Sequence, residues 1–176
     1  MLPSLGFAQS ALAHVPKADK PLRILVLGGT GFTGPFQIAY ALARGHHVTT
    51  FNRGLRPAIE WPGPVEQRTG DRNTGDLSAL AEGEWDVCID NPTSLPFWVR
   101  DAGEMLKGRI GHYLFISTIS VYADGSKPDI TEDAALAEYR GADAMAETMD
   151  SLRADMGNLY GPLKALSEAE AHKQFG

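Results

Sequence analysis

The stretch from Leu22 to Gly34, LRILVLGGTGFTG, constrains this chain more than any other. Ile24-Leu25-Val26-Leu27 is an unbroken apolar run between Arg23 and Gly28. Apolar on both faces and partly β-branched, it has the pattern of a strand inside a parallel sheet. Glycines follow at 28, 29, 31 and 34, and an apolar helical pattern opens at Phe36. Strand, glycine turn and helix in that order make a glycine pattern point to a dinucleotide. Gly28 and Gly29 allow the tight turn, Gly31 lets the backbone approach a pyrophosphate, and Gly34 lets the helix pack against the strand. Phe32 and Thr33 fall within the same candidate cradle. Phosphates would sit at the helix N-terminus, where N–H groups and the dipole favour negative charge. Pro35 suits the first turn because its missing N–H is not needed there.

Downstream, strands and helices alternate. The first helix is expected to turn Phe36, Ile38, Ala39, Leu42 and Ala43 inward and to stop at Gly45. Strands are expected at 47–51, 65–69, 85–90 and 112–117, with a short helix at 77–81 and a longer one at 97–106. Met145, Met149, Leu152 and Met156, spaced at i, i+4, i+7 and i+11, predict one amphipathic helix. The fold class is α/β: a Rossmann-type, doubly wound parallel sheet in the order 3-2-1-4-5, with right-handed crossovers. With 176 residues the chain suffices for one domain, at 21–176. Residues 1–20 are expected to be a flexible leader or the remnant of an export signal, since Ala11-Leu12-Ala13 has the form of a cleavage site without a basic stretch before it. The expected location is cytoplasmic, or exported if that segment is a signal.

Charge and cysteine usage exclude several classes. A net charge of −6 and a pI near 5.3 argue against nucleic acid as the main partner. A single cysteine, Cys88 in an apolar strand, forms no internal disulfide and is expected to be a small buried hydrophobe. No apolar run is long enough to span a membrane, and the five histidines form no metal-ligand cluster.

In a doubly wound sheet the ligand lies at the C-terminal ends of the strands, so the residues closing each strand are the candidates. They are Asn52-Arg53, Asp71-Arg72, Asp90-Asn91 and Ser117-Thr118. A carboxylate after the second strand would bind the ribose diol of NAD. Asn52 stands there instead, followed by Arg53, whose guanidinium can fork onto a 2′-phosphate. That favours NADP, with NAD as the alternative; a merely solvated turn arginine is the simpler reading. Asp71 either accepts from the adenine amino group or caps the turn before Leu77.

Two further signals complete the candidate site. FISTISVYAD, residues 115–124, closes the fifth strand with hydroxyls at Ser117, Thr118 and Ser120. Tyr160 and Lys164 are four apart, on one face of a helix if they share one. A phenol titrates near ~10, and a neighbouring ammonium makes it a usable acid/base at neutral pH. Alone, such a pair is as often a surface helix pair.

GGTGFTG, GDR, FISTISVYAD and YGPLK, in that order, resemble the extended short-chain dehydrogenase/reductase superfamily, of the NAD-dependent epimerase/dehydratase type, over residues 22–176. The resemblance implies Thr118 as hydrogen-bond partner of the reacting oxygen, Tyr160 as acid/base and Lys164 as holder of the nicotinamide ribose. It implies hydride transfer at a hydroxyl or carbonyl carbon of a small substrate, a sugar or sugar nucleotide among them, and a homodimer. Relatives continue past the position of Gly176 with another strand and a substrate-binding region, so the chain is expected to be an incomplete Rossmann domain. The rival class is a non-catalytic NADP-binding sensor or regulatory module, RNA-associated relatives included.

Overall fold

The structure, a computed structural model, describes residues 14–126 and 128–176. Its strands are β1 (Arg23–Leu27), β2 (His47–Asn52), β3 (Val65–Thr69), β4 (Trp85–Asp90) and β5 (Ile110–Phe115). Its helices are α1 (Gly34–Ala43), α2 (Pro96–Leu106), α3 (Met149–Ala154) and α4 (Met156–Phe175). The sheet order is β3-β2-β1-β4-β5, the order the sequence pattern predicts. β1 pairs in parallel with β2 and β4, and β2 with β3. The chain divides into two compact units. The first runs up to Asp71 and adds Leu77–Asn91 and Gly108–Leu114; the second takes Arg72–Asp76, Pro92–Lys107 and Phe115–Gly176.

The core of the first unit follows from the β1 pattern. Ile24 and Val26 join Ile38, Ala41 and Val48 in one apolar cluster, and the alternate residues Leu25 and Leu27 are as fully buried. Each of the isoleucine, valine and leucine side chains contributes about 1.5–3 kcal/mol through burial. Polar residues on β2 and β3 find partners instead: the Trp85 indole N–H donates to Thr49 Oγ1 at 3.1 Å, and the Thr49 hydroxyl donates to Glu66 at 2.9 Å. Burial pushes the Glu66 carboxyl up, but hydrogen bonds from Arg68 and Thr49 outweigh it and hold the group below its ordinary range. Gly45, at φ +88°, ends α1 in the left-handed conformation expected of it.

Three expectations need correction here. Phe36 does not face inward: it is 51% exposed, while Ile38, Ala39 and Ala41 carry the buried face of α1. The fifth strand begins at Ile110 and ends at Phe115, two residues earlier than 112–117. The short helix at 77–81 is a single 3-10 turn, Ser78–Leu80. The leader expected at 1–20 lies, for residues 1–13, outside the described residues. Of the rest, Ala18 N–H donates to Arg44 O at 2.9 Å, and the Arg44 guanidinium donates to Pro16 O at 2.9 Å.

The second unit is built where α2 packs along α4. Leu95, Trp98, Leu152 and Leu163 form its apolar cluster, with Tyr139, Met149, Leu159 and Tyr160 partly buried against it. The methionine stripe does not make one helix. Thr148 and Ser151 form a reciprocal capping box that starts α3 afresh, and the chain breaks at Asp155 before α4. Leu152 is buried from that stripe, whereas Met156 is exposed. The loop before α3 is tied by Glu147, which accepts from the Tyr139 hydroxyl and from Ser151. The Glu147 carboxylate raises the Tyr139 phenol above its ordinary range.

Candidate functional site

In the first unit the candidate cradle is the turn between β1 and α1. Gly28 takes φ +73° and donates its N–H to Phe51 O at 2.8 Å, and Gly31 N–H donates to Gly28 O at 3.2 Å. A Cβ on Gly34 would lie 2.3 Å from the Gly29 carbonyl oxygen and 2.5 Å from its carbon. Gly34 therefore lets α1 start against the backbone of the turn itself. A Cβ on Gly29 would meet Ile38 Cδ1 at 2.7 Å, so that glycine serves the packing of α1 on β1. Gly31 differs: a Cβ there would meet only Gly28 O, at an ordinary 3.6 Å. Among the described residues nothing crowds a Cβ at 31, so the backbone there is open to close approach. The first turn of α1 carries no acidic residue, Pro35 opens it, and Phe32 is 91% exposed. These residues fit a pyrophosphate.

Asn91 holds this turn in place. Its amide donates to Leu27 O at 3.3 Å and to Gln37 Oε1 at 3.0 Å, and its Oδ1 accepts from the Thr33 hydroxyl at 3.2 Å. One side chain thus ties the end of β1, the turn and α1. The sequence names Asp90-Asn91 together as closing this strand, and the structure gives the two different surroundings. Side chains alternate along a strand, and Asp90 is the inward one: fully buried, it accepts from the Tyr113 hydroxyl at 2.6 Å.

At the end of β2, Asn52 Oδ1 accepts from Gly54 N–H at 2.8 Å, an Asx turn closed by the φ of +67° at Gly54. Gly70 N–H donates to Asn52 O, tying the ends of β2 and β3. Asn52 Oδ1 is therefore engaged by the turn, and Arg53 is the exposed residue that the turn presents. Asp71 follows Gly70 and is half-buried.

The second unit carries the remaining candidates. Thr118 caps the 3-10 turn Ile119–Val121, its hydroxyl oxygen accepting from Ser120 N–H at 3.2 Å. The Ser117 hydroxyl donates to Glu168 on α4. Tyr160 and Lys164 both lie on α4, as their spacing predicts, with Tyr160 half-buried against the Leu163 cluster. Lys164 is only 3% exposed; its ammonium donates to Thr93 Oγ1 and Ile116 O and stands 4.3 Å from the centre of the Phe115 ring. Gly161 was missed by sequence reasoning. A Cβ there would lie 2.2 Å from Ser120 O, so this glycine lets the Tyr160 helix close onto the turn that Thr118 caps. Arg72 is not at a surface: it is buried, donates to Trp98 O and Pro92 O, and stacks 5.7 Å from the Trp98 ring. It works as an internal brace. Among the described residues no group of His, Cys, Asp and Glu could hold a metal ion, and no helix is long and apolar enough to cross a membrane.

Comparison with solved structures places this architecture. The Bordetella bronchiseptica enzyme WbmG in complex with NAD aligns over 89% of this chain and 51% of its own, with a TM-score of 0.67 and 16% identity. Vestitone reductase from alfalfa aligns over 86% of this chain and 52% of its own, at TM-score 0.64 and 19% identity. UDP-galactose 4-epimerase aligns over 84% and 49%, at 0.61 and 20%. The chain has the fold of the extended short-chain dehydrogenase/reductases. Among curated proteins, the chloroplast stem-loop binding protein of 41 kDa b from Arabidopsis thaliana is 31% identical over 142 residues, which is 69% of this chain and 37% of that protein. The chain thus spans about half the length of these solved structures and just over a third of the curated relative. No protein-family model matches it.

Proposed function

We propose that the protein binds a nicotinamide dinucleotide and serves an oxidoreductase, epimerase or dehydratase reaction at a hydroxyl-bearing carbon. The substrate class is a small molecule, with carbohydrates and sugar nucleotides the favoured kind, and the assembly is a homodimer. The observation that carries the reading is the contact of Gly161 with Ser120 O. It joins the helix of Tyr160 and Lys164 to the turn of Thr118, at an approach that leaves no room for a Cβ at position 161. The glycine turn, with Gly31 left open toward ligand, supports the binding half of the reading.

In this reading the first turn of α1 and Gly31 take the pyrophosphate, and Arg53 takes a 2′-phosphate, which makes NADP the preferred form over NAD. Thr118 donates a hydrogen bond to the substrate oxygen. Tyr160 passes a proton to or from that oxygen, and Lys164 holds the nicotinamide ribose. Bound, the nicotinamide would accept or return a hydride.

Calorimetric titration of NADP and NAD tests the binding half. NADP is expected to bind about tenfold more tightly, the order of one hydrogen bond to a charged group; tighter NAD would overturn the role of Arg53, and binding of neither would end the reading. Tyr160→Phe tests the chemistry. It is expected to lower turnover with sugar-nucleotide or carbonyl substrates by about 10²–10⁴-fold while leaving dinucleotide affinity unchanged.

The name of the stem-loop binding relative favours a second reading, a binding module of the same fold in which the dinucleotide regulates rather than reacts. It is the reading left standing if the dinucleotide binds and Tyr160→Phe changes no rate.

A further inference from the structure

Lys164 is buried, and a buried ammonium is costly unless acceptors meet its three N–H groups. Two of its acceptors are Thr93 Oγ1 and Ile116 O. Thr93 lies between β4 and α2, belongs to the same unit as Lys164, and is itself 1% exposed. Its hydroxyl donates to the same Ile116 carbonyl, at 2.6 Å. Three hydrogen bonds therefore close a triangle among Lys164 Nζ, Thr93 Oγ1 and Ile116 O. A hydroxyl has one proton, and this one is committed to Ile116, so an oxygen lone pair is turned toward Nζ. The β-branch of threonine restricts χ1, which fixes where that lone pair points.

We propose that Thr93 is a positioning residue for Lys164: by accepting from Nζ while donating to Ile116 O, it fixes the ammonium in place before any ligand arrives. This rests on the reading of Lys164 as a functional residue. Valine at 93 keeps the shape and removes the acceptor, whereas serine keeps the acceptor and removes a methyl.

The test is a proton–nitrogen spectrum of the lysine ammonium groups on the whole chain, with the Lys164 signal identified by its loss in Lys164→Arg. In the unsubstituted protein and in Thr93→Ser this signal is expected to exchange slowly with water. In Thr93→Val its exchange is expected to accelerate by about tenfold or more, as for a group whose protecting hydrogen bond is gone. The proposal is overturned if Thr93→Val keeps the original exchange rate, if Thr93→Ser loses it, or if the unsubstituted protein shows no protected Lys164 ammonium. Should Thr93→Val fail to fold, the last two outcomes still decide. Dinucleotide titration is a separate arm. A protein with a protected Lys164 ammonium that binds neither NADP nor NAD would sink the functional reading and leave the positioning role intact.

Discussion

Gly34→Ala is expected to abolish dinucleotide binding and to cost the protein about 3 kcal/mol or more of stability, at the severe end for a single substitution. The new methyl would sit 2.3 Å from the Gly29 oxygen, 2.5 Å from its carbonyl carbon and 2.6 Å from its Cα. All three are backbone atoms, so no side chain can swing aside; either α1 lifts from the turn or the turn opens. Lifting α1 would unpack Ile38 and Ala41 from Ile24, Val26 and Val48 and disturb the bonds that Asn91 makes to Gln37 and Thr33. Alanine's better helix propensity offsets at most about 1 kcal/mol of this. Gly31→Ala is the matched control, because its methyl would meet only Gly28 O at 3.6 Å. It is expected to leave the unfolding free energy in urea within about 0.5 kcal/mol of the unsubstituted protein and still to weaken dinucleotide binding, because the methyl enters the space of the pyrophosphate. Urea unfolding and calorimetric titration of both variants read the two effects apart. Equal loss of affinity and stability in both would mean the turn is a structural element only.

The contrast between these two glycines marks how far the sequence was legible. Where a single residue type has a strong local meaning, the pattern sufficed: the apolar run of β1, the boundaries of β3 and β4, the left-handed Gly45 and the strand order. It failed where tertiary contact decided. The expected start of β5 was His112, but Gly111 lies within the strand. Inside the strand its missing Cβ avoids the Asp86 carbonyl oxygen at 2.9 Å, a contact made across the sheet and invisible in the chain. The methionine stripe had the right period for one helix, but Thr148 capped a new one in its middle. The candidate site shows the same division. Tyr160 and Lys164 were readable from their spacing and Thr118 from the resemblance, and all three lie in one unit. Arg72 looked like a strand-end ligand because nothing local says that a Trp98 carbonyl and ring wait for it 26 residues later. Thr93, 71 residues before Lys164, was silent for the same reason, and although Asn91 was named as a strand-end residue, its bonds to Leu27, Thr33 and Gln37, each more than 50 residues before it, were not legible locally.

Gly161→Ala should destabilise the second unit, an effect whose sign helix propensity alone gets wrong. In an isolated helix, replacing an interior glycine by alanine gains about 1 kcal/mol. Here the methyl would be placed 2.2 Å from Ser120 O and 3.2 Å from its carbonyl carbon, with Ala137 Cβ at 3.6 Å behind it. α4 must then move away from the Ile119–Val121 turn, or the turn must give up the bond between Thr118 and Ser120 N–H. Overpacking of this kind costs about 1–3 kcal/mol, so the net expected change is a loss of about 1–2 kcal/mol after the propensity gain. Gly157→Ala on the same helix is the control, since nothing lies within 4 Å of its methyl; it is expected to be neutral or to stabilise by up to about 1 kcal/mol. The opposite signs of two chemically identical substitutions, measured by urea unfolding, are the decisive result. Function should follow the contact more steeply than stability does. A shift of about 1 Å between Thr118 and Tyr160 is enough to cost about 10²-fold in rate, so Gly161→Ala is expected to lose turnover while the folded fraction stays high. If Gly161→Ala instead stabilises the protein as Gly157→Ala does, the close approach of α4 to the Thr118 turn is not present in solution, and the assignment of Tyr160 and Thr118 to one reaction loses its main support.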